Sequence, residues 1–408
     1  MKILVLTSRF PYPLEKGDKL RIFHQIRELS RFHEIVLCSL AEKPVQDIDY
    51  EEVKQYCSKI FIINCHTTSI VKNIISNLFS LPAGVSSTKK IPFQVAYFFD
   101  NHIKKIIHKI ITAEKPDHVY CQLARMAEFV KDIHIAKTLD YMDAFSMGAA
   151  RRADSSHWLT KPFWKIEARK MAEYEAELAH DFNNLTIIST QDREVLDFTE
   201  RNKIQVVPNG VDIHYFKKNN AALPPKYHIA FVGNLGYYPN VEAAKYLVHQ
   251  ILPLLLTHIP DIKILIAGAR PTAEVQNLSN ENVTVKGWLK DIRTAYSDAQ
   301  IFVAPLYHGS GQQNKILEAM AMGLPCITTS LVNNAILAKP NEEILTIEPV
   351  DTEGVWIEKI INLLQNIDNQ EFISKNVRLF VEKEYSWHHS VALLNNIIEK
   401  KAKQHQPN

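Results

Sequence analysis

Cysteine is scarce in this 408-residue sequence, which holds five: Cys38, Cys57, Cys65, Cys121 and Cys326. They lie far apart and none forms a CxxC pair, which excludes a disulfide framework and a zinc ribbon and reads as reduced thiols of a cytosolic protein. No apolar run approaches the roughly 18 residues of a membrane span. The opening MKILVLTSRFPYP holds too short an apolar stretch for a signal-peptide core. Charge of one sign is also missing. Lys and Arg total 47 against 45 for Asp and Glu, and a cut after Asp212 leaves both halves nearly neutral, which excludes a basic nucleic-acid module. No short repeat of solenoid type occurs.

What is present is 46% hydrophobic and 23% charged residues, a globular composition on a chain long enough for about two domains. Short β-branched runs alternate with amphipathic stretches, the pattern of βα units on parallel sheets. KILVLT, EIVLCSL, KIFIIN, HVYCQ, AKTLDY, LTIIS and IQVVP read as strands of a first series. HIAFVG, IKILIAG, NVTVKG, AQIFVAP, PCITT and EILTIE read as strands of a second. Helices are expected over Asp18 to Arg31, Lys161 to His180 and Gln191 to Arg201, with a strandless helical stretch from Val355 to Lys401. The fold class is α/β: two doubly wound, Rossmann-like domains, residues 1–212 and 213–375, with a C-terminal helix over 376–408 packing back on the first. Such domains place ligands at the C-terminal ends of their strands. A Rossmann dehydrogenase is not expected, because the first strand leads to PYPLEKG and not to GxGxxG.

The most informative stretch is APLYHGSGQQNKILEAMAMGLP, residues 304–325: a strand end, the loop Gly309, Ser310, Gly311, and a helix opening near Asn314 after Gln313. Free amides at a helix start bind phosphate oxygens. Lys315 and Glu318, three apart, share one face of that helix. A cation beside a pyrophosphate and a carboxylate one turn deeper for two ribose hydroxyls would make a nucleoside-diphosphate cradle. The alternative is a Gly-rich turn before an ordinary surface Lys–Glu pair.

With these residues in view, the chain resembles the family 4 (group 1) GT-B glycosyltransferases, which retain anomeric configuration and use nucleotide sugars. Supporting segments are PYPLEKGDKLR after the first strand, VVPNGVD at the domain junction, FVGNLGYYPN, and VKGWLKD. The resemblance implies that Glu318 holds the donor ribose and that Gly17 lets the first-domain loop approach the donor phosphates. It gives Lys19 and Arg21 to phosphate or acceptor contact, Gly233, Asn234 and Gly236 to the opposite lip, and Trp288 to the nucleobase, the alternative for Trp288 being a packed core or rim position. Three departures stand out: Ser310 replaces a first glutamate, NLGYYPN lacks a basic pair, and LDYMDAFS replaces a histidine. A subgroup of exopolysaccharide-associated sugar transferases is similar in all three places. Lys315 is then expected to supply the missing pyrophosphate charge.

Asp140 and Asp143, at the end of a strand, are expected to face the acceptor, with Asp143 as its base; the alternatives for Asp143 are a helix cap and a structural hydrogen bond. No metal or cofactor is expected, and the pair Asp47 and Asp49 reads as a helix start. Residues 66–115 hold seven lysines, at 72, 89, 90, 104, 105, 109 and 115, among Phe93, Tyr97, Phe98 and Phe99. That stretch is either a surface for anionic membrane or a solvated lysine face over a core-facing aromatic stripe. The expected function is transfer of a sugar from a UDP- or GDP-sugar to a glycan or lipid-linked acceptor in cell-surface polysaccharide synthesis, in the cytoplasm or at the inner face of the plasma membrane. The alternatives are a degenerate partner subunit and a sugar-nucleotide epimerase.

Overall fold

The structure, a computed structural model, describes residues 1–65, 91–218, 224–308 and 312–402. The chain divides into two units: Met1–Pro208 together with the chain from Ser390 onward, and Asn209–His389.

The first unit is a seven-stranded sheet: β1 (Lys2–Thr7), β2 (Glu34–Ala41), β3 (Lys59–Asn64), β4 (His118–Gln122), β5 (Lys137–Asp140), β6 (Asn184–Ile187) and β7 (Gln205–Val206). All pairs are parallel and the order is β3-β2-β1-β4-β5-β6-β7. The near-continuous apolar runs follow from helices on both faces. Ile3 and Val5 enter one core layer while Leu4 and Leu6 enter the other. One layer is closed by the helix Gly17–Leu29 through Ile22, Phe23 and Ile26, and by the C-terminal helix Trp387–Ala402 through Val391, Leu394 and Ile398.

The second unit is a six-stranded parallel sheet: β8 (Tyr227–Val232), β9 (Ile264–Ala267), β10 (Val283–Lys286), β11 (Ala299–Ala304), β12 (Cys326–Thr329) and β13 (Leu345–Ile347), in the order β10-β9-β8-β11-β12-β13. In both sheets the first strand lies beside the fourth, so the loops after these two strands diverge and leave a crevice at the switch point.

The division falls at Pro208/Asn209 and not after Asp212, and the chain rejoins the first unit at Ser390 and not at 376. Long-range hydrogen bonds explain both differences. The Val211 amide donates to the Tyr385 carbonyl at 2.7 Å, and the Arg378 guanidinium donates to the carbonyls of Ile213 and Phe216 at 2.9 and 2.6 Å. Gly210 lies so near Trp387 that a Cβ would stand 2.6 Å from its backbone. These bonds tie residues 210–216 to 378–387 within the second unit. The expected helix Gln191 to Arg201 is in fact two pieces, Thr190–Glu194 and the 3-10 turn Thr199–Lys203. Arg201 fills the break, donating to the carbonyls of Glu194 and Leu196.

Candidate active site

In the second unit the helix Asn314–Ala321 opens after β11, and its first turns face the loop after β8. The Lys315 ammonium donates to Asn240 Oδ1 at 2.5 Å and lies 5.7 Å from the centre of the Phe231 ring. Asn240 in turn donates through Nδ2 to the Asn234 carbonyl at 2.9 Å. This side chain therefore joins the β8 loop to the helix after β11. Burial pushes the Lys315 pKa down to about 8, with Glu318 only partly opposing the shift. A cation that loses solvation and has a neutral amide as its hydrogen-bond partner is poised for an anion.

Glu318 lies one turn further along. Its Oε2 accepts from the Tyr296 hydroxyl at 2.7 Å, and burial raises its pKa against the opposing pull of Tyr296 and Lys315. The glycine lips are crowded. A Cβ on Gly233 would meet Asn240 Nδ2 at 2.9 Å and Lys315 Cε at 3.4 Å, and one on Gly236 would meet the Arg270 carbonyl at 3.0 Å. Gly268, at φ +144°, is the tightest position: its Cβ would stand 1.7 Å from the Gly233 carbonyl oxygen. Asn234 is exposed and its Oδ1 accepts from the Gly236 amide at 3.1 Å.

Gln313 caps the helix by position without a side-chain cap bond, and Asn314 Oδ1 accepts from Asn209 Nδ2 at 3.4 Å. The neighbouring Gln312 exchanges two 2.8 Å hydrogen bonds with the Asn209 backbone, fixing the loop before the helix. Gly309, Ser310 and Gly311 lie outside the described residues. Trp288 is 73% exposed, which rules out a core role and leaves its ring open. Sequence reasoning missed Asn240, Tyr296, Gln312 and Gly268. Asn240 carried a signal, standing inside FVGNLGYYPN seven positions after Gly233, as did Gln312, inside residues 304–325.

In the first unit two expectations are corrected. Asp140 and Arg21 are both fully buried and pair with each other: Arg21 Nε donates to Oδ2 at 2.7 Å and a terminal nitrogen to Oδ1 at 3.1 Å. The hydroxyls of Tyr120 and Thr186 also bond Asp140, each at 3.0 Å. With its lone pairs taken and no solvent access, Asp140 is not an acceptor-facing group, and Arg21 is not a phosphate ligand; the pair is structural. Lys19 donates to the Tyr12 carbonyl at 3.2 Å, and burial lowers its pKa. Gly17 is exposed at the start of its helix, and a Cβ there would approach Met142 Cε at 3.3 Å.

Asp143 is different. It is half-buried after β5. Burial first, then Asp192, push its pKa up to about 7, against the opposing field of Arg21. It does not cap the following helix by side chain. The N-terminal amides of that helix, Phe145 and Ser146, are taken by the buried Glu175 at 2.7 and 3.3 Å. A carboxyl titrating near neutrality and, among the described residues, without a side-chain hydrogen-bond partner suits proton transfer.

Residues 226–366 match the family model described as glycosyl transferases group 1. The chain is a glycosyltransferase, with the group 1 match lying in its second unit. A 44.6 kDa protein in the cps region of Klebsiella pneumoniae is 21% identical over 94% of this chain and 96% of its own length. The UDP-Gal:alpha-D-GlcNAc-diphosphoundecaprenol alpha-1,3-galactosyltransferase of Escherichia coli is 29% identical over 48% of this chain and 54% of its own length. Sucrose-phosphate synthase of Thermosynechococcus elongatus superimposes with a TM-score of 0.70 at 14% identity, covering 99% of this chain and all of that one. The fold is GT-B.

In the described part of the basic segment of this glycosyltransferase, most apolar side chains pack inward. Residues 66–90 lie outside the described residues. Val95, Phe98, Ile103, Ile107 and Ile111 enter the core, with Tyr97 and Phe99 packed against it. Lys104 is paired with Asp132 at 2.6 Å. Tyr97, Phe98 and Phe99 face inward, while Phe93 is half-buried and packs against Phe163. Among the described residues no helix is long and apolar enough to cross a membrane. Asp47 and Asp49 occupy the first turn of the helix Asp47–Lys54, as helix-start residues.

Proposed function

We propose that the enzyme transfers a hexosyl group from a nucleoside diphosphate sugar to a lipid-linked or glycan acceptor in cell-surface polysaccharide assembly, on the cytoplasmic side of the membrane. The observation that carries this reading is the Asn240-held Lys315 at the switch point of the second sheet, with the Tyr296-held Glu318 one turn deeper. A bound diphosphate would take Lys315 and the amides at Asn314, and Glu318 Oε1 would accept from the ribose. The leaving group is a diphosphate, so the rate depends on stabilising charge that develops on its oxygens. A half-buried, partly desolvated cation does this well, because the ammonium is already in place. On the acceptor side Asp143 takes the hydroxyl proton. Retention of configuration follows the family resemblance, and no metal is required of these residues. The relatives support the reading: one acts from a UDP-sugar on a diphosphoundecaprenol acceptor, and another lies in a cps region.

The test is to incubate the protein with UDP- and GDP-sugars and a polyprenyl-diphosphate-linked sugar, reading the product by mass. Glycosylated acceptor, lost in Lys315→Met, is the expected result. Epimerised nucleotide sugar formed without acceptor, or no turnover with any donor, would refute it.

A further inference from the structure

The consecutive helices Phe145–Ser155 and Lys161–Asp181 pack together as a hairpin joined by residues 156–160, and its tip is bare. Trp158 is 71% exposed, Leu159 65%, Ile166 58% and Phe163 41%. Phe163 and Ile166 are three apart on one helix face, next to the turn that carries Trp158 and Leu159. Exposed apolar side chains are unremarkable one at a time; four within nine residues form a patch that needs an occupant.

Charge identifies the occupant. Residues 151–170 include six cations: Arg151, Arg152, Lys161, Lys165, Arg169 and Lys170. Against them stand Asp154 and Glu167. Glu167 is buried and turned inward, where it accepts the amides of Phe93 and Gln94 at 2.8 and 3.0 Å. The exposed acids near the tip are then Asp154 and, one turn further along, Glu173, which lies 3.3 Å from Arg169. The Arg152 guanidinium lies 4.7 Å from the Trp164 ring, which holds it beside the patch. A second copy of this chain fits poorly, because a symmetric contact would press one cationic tip against another. An anionic lipid surface satisfies both features: apolar side chains enter the headgroup and acyl boundary while lysines and arginines stay among lipid phosphates. Tryptophan is suited to that boundary, having an apolar body and one N–H donor.

We propose that the tip of this hairpin docks the enzyme on anionic membrane, with Trp158, Leu159, Phe163 and Ile166 inserted and the surrounding cations at the headgroups. The docking itself stands on the tip alone. Its purpose, delivery of the enzyme to a lipid-linked acceptor, rests on the function proposed above.

The test is co-sedimentation of the full chain with vesicles of phosphatidylcholine, and of equal parts phosphatidylcholine and phosphatidylglycerol. Binding is expected to the second only, and to weaken with salt. Lys161→Gln with Lys165→Gln should weaken it by about fivefold for each cation removed. Trp158→Ser with Leu159→Ser should weaken it by roughly tenfold or more. Lys104→Glu with Lys105→Glu should leave it unchanged. Thermal unfolding and nucleoside-diphosphate binding of each variant verify folding. No binding of the wild type to anionic vesicles, or equal binding by the tip variants, overturns the proposal. So does a dimer in solution that Trp158→Ser dissociates. Vesicle binding through the tip by a protein that binds no nucleoside diphosphate would keep this inference and sink the proposed activity.

Discussion

Removing Lys315 should flatten a pH dependence that the wild type shows. In the free protein burial holds the Lys315 pKa at about 8. A diphosphate beside the ammonium favours its charged form and returns the pKa toward the ordinary lysine value, so the complex binds more protons than the free protein. The direction follows. Affinity is full below about 8 and falls as pH rises through the free-protein pKa, until the bound pKa is reached. Each pH unit in that window costs about tenfold, or about 1.4 kcal/mol. At about pH 9 only some tenth of the free protein carries the charge, so the dissociation constant should be roughly tenfold weaker than at about pH 7. The nucleotide contributes little, since its last phosphate ionisation, near pH 6, is already complete. Calorimetry in two buffers of different ionisation enthalpy should show proton uptake on binding at the alkaline end. Lys315→Met should bind more weakly at neutral pH and lose the slope. A wild type with no slope between those pH values, or a slope retained in Lys315→Met, would refute the reasoning.

Three further outcomes follow. Arg21→Met strands a buried carboxylate and should cost about 3–5 kcal/mol in denaturant unfolding, with much of it recovered in Arg21→Met/Asp140→Leu; a loss below about 1 kcal/mol would show that the pair is not structural. Asp143, held at about 7, should make transfer rise as pH passes through that value, and Asp143→Asn should slow transfer while leaving donor affinity intact. The same raised pKa means that Asp143 favours folding below its ordinary carboxylate pKa and loses that contribution as pH rises through about 7, so Asp143→Asn should flatten the stability curve there. Gly268→Ala forces a side chain into positive φ and onto the Gly233 carbonyl. It should lower the melting temperature and weaken diphosphate binding together, and a variant with wild-type melting would contradict the geometry.

The strands were legible because both sheets are covered on both faces. Runs such as KILVLT and AQIFVA need no partner to be recognised, and all thirteen strands of the sheets coincide with expected segments. The Lys315–Glu318 helix was legible because its parts are adjacent in sequence. The Arg21–Asp140 pair was not, since its members are 119 positions apart and either residue alone suits a cleft. Asn240 and Gly268 matter through contacts between loops that follow different strands, which spacing does not encode. The domain limits lie 4 and 14 residues from those expected for the same reason: Val211 and Arg378 make long-range bonds that belong to neither local pattern. The aromatic stripe near Phe98 was ambiguous until packing turned it inward.

The central claim is that Glu318 and Lys315 form a nucleoside-diphosphate cradle, and calorimetry with UDP and GDP on the wild type and Glu318→Ala tests it most directly. One diphosphate should bind the wild type, and the variant should lose at least about tenfold in affinity, the worth of a charge-assisted hydrogen bond to the ribose. Absence of binding by either diphosphate, or equal binding by Glu318→Ala, would contradict the account.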